Sequence, residues 1–175
     1  MIKCREDVYA LYKSLGAPSR LIDHVIHVGA VAEKLANELK EIGVTLDENL
    51  VCLGAACHDA GKIIYKNELD EPGSLHELAG EKLLLEHDVS PVVARFCRSH
   101  AQYERMETSY EELLVALADK LWKGKRVENL ELEIIDLTAN QIGKERWDLF
   151  DKLDTIFEDI AAEGDSRLAS TMVTT

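Results

Sequence analysis

Apolar residues in this chain recur at steps of three and four over long stretches, and no run of Val, Ile or Thr alternates with polar residues as a half-buried strand would. A repeat near 3.6 residues gives each segment one apolar stripe to bury, so the chain is committed to helices packing on helices. Only three prolines interrupt the pattern. A first helix is expected over about residues 4–15, ending at the Gly16-Ala17-Pro18 break, with Ser19 placed to cap a second that stops at Gly43. A third runs from about Asp47 into the segment Cys57-His58-Asp59-Ala60-Gly61-Lys62, where Gly61 suggests its end. Residues 63–74, with Asn67, Asp70, Glu71, Pro72 and Gly73, read as a long loop, of the kind that often carries function. Helices follow at about 75–87, 91–101, 109–123, 130–142 and 146–162, and the tail from 163 to 175 has no periodicity and is expected to fray. At 175 residues this makes one all-α domain, 1–175, with a motif-bearing core at about 16–125.

A net charge of −13 excludes a chain that tracks a nucleic-acid polymer, which needs clustered Lys and Arg. A small anion is still admissible, because metal ions and a few cations can reverse the potential inside one cleft. The four cysteines form neither a C-x-x-C pair nor a disulfide framework, so reduced thiols are expected. The N-terminal stretch lacks a signal peptide's apolar core and no segment is long enough to span a membrane; a cytoplasmic location is the expectation.

The chemistry-bearing residues are histidines and aspartates. His58 and Asp59 follow the apolar run LVCLGAAC, and two adjacent ionisable groups at the end of a core-facing helix need compensation, which a metal would supply. Asp119 interrupts the apolar face of ELLVALADKLW; its bland alternative is exposure beside Lys120. His24 shares a stripe with Val28, Val31, Leu35 and Leu39 and so faces the core, whereas the stripe of His27 turns toward solvent; His24 is the better ligand and His27 the alternative. His76 and His100 lie in separate helices on either side of Pro91. Taken together, His24, His58, Asp59, His76, His100 and Asp119 are an imidazole and carboxylate set without thiolates, suited to Fe, Mn, Co or Zn in a catalytic site. His87 reads as structural or surface, while Glu77, Arg98 and Arg126 are weaker candidates for supporting or phosphate roles.

The order H…HD…H…H…D resembles the HD superfamily of metal-dependent phosphohydrolases, in the branch with two extra histidines between the HD pair and the last Asp. GAPSRLIDHVIHVGAVAEKLA looks like the first metal-binding helix, GAACHDAGK like the HD signature with Ala60 at a position where Ile is common, and LVALADKL like the helix of the final Asp. The resemblance implies a single-domain HD-type helical bundle that binds two divalent ions. His24, His58, Asp59 and Asp119 would hold one ion, His76 and His100 a second, and Asp59 would bridge them. It also implies a metal-activated hydroxide that cleaves a phosphoester or phosphoanhydride of a small nucleotide-like substrate, with Asp59 and Lys62 as catalytic residues and Lys62 on the phosphate. Two further readings stand beside it: a di-iron oxygenase using the same six ligands, and a regulatory metal- or nucleotide-binding module with little turnover. No Gly-Tyr-Pro element of the cyclic-diguanylate branch is present.

Overall fold

The computed structural model describes residues 1–172, and among them there are helices, turns and loops but no strand. In chain order the helices are α1 (Arg5–Ser14), α2 (Ser19–Glu41), α3 (Glu48–Cys57), α4 (Leu75–Glu86), α5 (Pro91–Ala94), α6 (Phe96–Gln102), α7 (Tyr110–Trp122), α8 (Glu128–Ile142), α9 (Arg146–Ala162) and α10 (Gly164–Met172). Two 3-10 turns, Ala60–Ile63 and Lys66–Leu69, sit between α3 and α4. The bundle is built around α7, whose residues from Glu112 to Ala118 are all buried. A helix apolar on every side belongs at the centre, and α2, α3, α6, α8 and α9 pack around it.

The apolar interior falls into two clusters. One gathers Val28, Val31 and Leu35 of α2 with α7, α8 and α9; the other gathers Leu21 and Val25 of α2 with Val8, Tyr12, Leu84 and Val89. α2 spans both, and α3 divides its side chains between them: Val51 and Ala55 enter the first, Leu53, Ala56 and Cys57 the second. Cys57 and Cys97 are buried, Cys4 and Cys52 partly so, and all four are free thiols. No helix of the described residues is long and apolar enough to cross a membrane.

The departures from expectation have local causes. The N-cap of α2 is Pro18, not Ser19, and no side chain caps that end. α3 stops at Cys57, four residues before Gly61. Gly61 serves a different purpose: a Cβ there would collide with the backbone carbonyl of His76, so glycine is what lets the first 3-10 turn lie against the start of α4. The helix expected at 91–101 is interrupted at Arg95, whose guanidinium reaches Glu112 at 2.8 Å. Gly164–Met172, expected to fray, is helical. Arg167 donates to the carbonyls of Leu121, Trp122 and Ile160 at the ends of α7 and α9, and Leu168 packs on the first apolar cluster. Residues 173–175 of the expected tail lie outside the described residues.

Candidate metal centre

Four helices and one helix end deliver six side chains to a single point. α2 carries His24, with Val28, Val31, Leu35 and Leu39 of the same stripe all buried beneath it. His58 caps the C-terminus of α3 and Asp59 follows it; α4 carries His76 in its first turn, α6 carries His100, and α7 carries Asp119. His58, Asp59, His76, His100 and Asp119 are all buried, and the His24 side chain is 15% exposed. Trp122 presses edge-on against the His24 ring, with centroids 4.7 Å apart.

Asp59 stands at the centre. Its Oδ2 lies 3.0 Å from His24 Nε2 and 3.6 Å from His58 Nε2, whereas its Oδ1 lies 3.4 Å from His76 Nε2 and 3.5 Å from His100 Nε2. Asp119 Oδ1 completes the first side, 3.5 Å from both His24 and His58. Two groups result, each with donor atoms within 4.8 Å of one another: His24, His58 and Asp119 in one, Asp59, His76 and His100 in the other.

The ring orientations are fixed from behind. His58 Nδ1–H donates to the Ala55 carbonyl at 2.7 Å, His100 Nδ1–H to the Phe96 carbonyl at 3.1 Å, and His76 Nδ1–H to the Glu68 carboxylate at 2.5 Å. With the proton on Nδ1, each ring turns the Nε2 lone pair inward, as a metal ligand must. The inward atoms His24 Nε2, His58 Nε2, His76 Nε2 and Asp59 Oδ1 are buried and find no partner in hydrogen-bonding geometry. Buried polar atoms left unsatisfied are costly, and a cluster of four converging on one point fits a divalent cation. Nitrogen and oxygen donors without a thiolate suit the same metals as the sequence suggested.

The charges agree with that use. Burial opposes ionisation of Asp59, but the neighbouring imidazoles of His58, His24 and His76 hold it well below the usual carboxylate range; His24 and His58 do the same for Asp119. Burial also opposes protonation of His24, yet the adjacent carboxylates of Asp119 and Asp59 carry it up to about 9. His100, buried beside His58, is pushed down to about 3 and stays a neutral imidazole.

A cleft of about 490 Å³ opens onto the cluster. Lys62 lines it, with Nζ 2.8 Å from Asp59 Oδ2. Glu77 lines it too and accepts from the Gln102 amide. The other weak candidates lie elsewhere. Arg98 pairs with Glu81, and Arg126 is held by Glu131, Asp154 and Glu158 between α8 and α9, where it cannot serve a phosphate at this cleft. His27 packs on Trp122 outside both groups, and exposed His87 ends α4.

Some site residues were missed by sequence reasoning. Arg20 stands four residues before His24, while Trp122 and Lys123 stand three and four after Asp119; helical spacing alone places them beside known candidates, and all three line the cleft. Glu68 gave no such signal, since it sits in an aperiodic polar stretch. Comparison with curated proteins and with solved structures returned no match. The family model for the HD domain matches residues 21–123, more than half the chain, and that span contains all six converging side chains. By that match, with the all-helical architecture behind it, the chain belongs to the HD domain family, whose members are typically metal-dependent hydrolases.

Proposed function

We propose that this protein is a phosphohydrolase that uses two divalent cations to cleave a phosphoester or phosphoanhydride in a small nucleotide-like molecule. The observation that carries the reading is the division of Asp59, one oxygen facing His24 and His58 and the other facing His76 and His100. His24, His58, Asp59 and Asp119 would hold one ion and Asp59, His76 and His100 the other. Bound there, the pair would acidify water and neutralise charge on the phosphoryl oxygens.

The chain's own residues do the rest. Lys62 sits beside the cluster with its ammonium in the cleft, placed to donate to a phosphoryl oxygen. Arg20, Lys120 and Lys123 add positive charge, and Trp122, Leu69 and Leu168 add apolar surface for the remainder of a nucleotide. Four cationic and six acidic side chains line the cleft, so with its histidines neutral, as metal ligands are, two divalent cations would turn its net charge from −2 to +2. That reversal reconciles an anionic substrate with a chain of net charge −13.

The test is elemental analysis of protein purified without chelators, followed by a panel of nucleotides assayed for released phosphate, with and without oxygen. Two ions per chain and oxygen-independent hydrolysis are expected. Oxygen-dependent turnover would move the chemistry to the oxygenase reading, and loaded protein that releases nothing would leave a binding module.

A further inference from the structure

His58 and His100 are oriented by carbonyls of their own helices, three and four residues back. His76 cannot use that device. It is the second residue of α4, and the positions three and four before it, Gly73 and Pro72, lie outside the helix. The partner of its Nδ1–H must come from elsewhere, and it comes from Glu68 in the second 3-10 turn.

Glu68 is 7% exposed, unusual for a carboxylate in a polar connecting segment, and both its oxygens are engaged. Oε1 accepts the backbone N–H of Leu75 at 3.1 Å; Oε2 accepts the backbone N–H of His76 at 3.0 Å and its Nδ1–H at 2.5 Å. Ser74, at the N-cap of α4, provides no side-chain bond, so Glu68 also does the capping. Gly73 leaves the room this requires, because a Cβ there would run into the Glu68 side chain. The next residue but one, Asp70, is held by Arg20 of α2 at 2.7 Å, which ties the same segment across to the helix that carries His24.

We propose that Glu68 is a positioning residue for the second ion: through His76 Nδ1 it fixes the ring and tautomer that aim Nε2 at the space shared with Asp59 Oδ1 and His100. The inference rests on the two-ion reading. It makes Glu68 part of one ion site, since its bonds run to Leu75 and His76 and not to His24, His58 or Asp119.

Zinc titration of the full chain by calorimetry, with zinc counted at saturation, tests this in wild type, Glu68→Ala and Glu68→Gln. Wild type is expected to bind two ions. Glu68→Ala should weaken the second by about 10–100-fold with the first unchanged. Glu68→Gln, which keeps an acceptor oxygen for Nδ1–H, should lose less. Two ions bound with wild-type affinities by both variants would overturn the role of Glu68 alone; a single ion in saturated wild type would overturn the two-ion reading and this inference with it. Should Glu68→Ala fail to fold, Glu68→Gln decides. Selective weakening of one site supports the proposal, and equal weakening of both shows a merely structural carboxylate.

Discussion

Asp59 faces four imidazoles with two oxygens, so no other single side chain can affect both ligand groups equally. Asp59→Ala is expected to remove both ions and abolish hydrolysis while circular dichroism keeps its helical signal; retention of one tightly held ion would show that the groups do not share this carboxylate. The protonation of His24 supplies a second prediction. Its pKa is raised from 6.5 to about 9, so the stability it contributes is full below pH 6.5 and is lost as the pH rises through about 9. An ion at His24 must displace that proton. Uptake near pH 7.5 should therefore release about one proton from this residue, seen as a dependence of calorimetric heat on the buffer's ionisation enthalpy, and the release should vanish above pH 9. Much at this scale was legible in the sequence: the apolar stripe separated His24 from His27, and the apolar face around Asp119 gave an argument for its burial. Glu68 was not legible, because its role depends on where a loop folds back and no local pattern encodes that.

Elements were readable where their own residues decide them. Ser109 and Glu112 form a capping box at the start of α7, and Gly43 and Gly143, both with positive φ, end α2 and α8. Elements shaped by tertiary contact were not. α10 has little intrinsic reason to form, and it is tied down from outside, by Arg167 on carbonyls of α7 and α9 and by Leu168 on the first apolar cluster. Gly61 looked like a helix terminator and proves to be a close-approach residue against α4. Gly61→Ala should therefore push α4 away and cost about 1–3 kcal/mol in chemical denaturation. Because α4 brings His76, the variant should also lose the second ion before the first; equal affinity for both ions would disconnect that packing from the site.

At the level of the whole molecule, charge and hydrophobic architecture meet at one place. A chain at −13 with a cleft at −2 should bind a non-hydrolysable nucleotide phosphonate only in the presence of divalent cation, and the affinity should fall with added salt. Tight binding in excess chelator would assign anion recognition to Arg20, Lys62, Lys120 and Lys123 alone.

The two apolar clusters carry a mechanical consequence. α7, which brings Asp119, belongs to the first cluster, and α4, which brings His76, packs through Leu84 into the second, while α2 and α3 bridge them. Ions bound between these groups would act as rivets across a seam between two hydrophobic halves. Stripping them should leave each half folded and let the seam breathe, so that amide hydrogen exchange accelerates first in α4, α6 and the turns at Ala60–Leu69, well before the amides of α8 and α9. Uniform acceleration throughout would mean that the halves share one cooperative fate. If the seam alone opens, the metal proposed for the chemistry would also be the fastener that decides where this protein gives way.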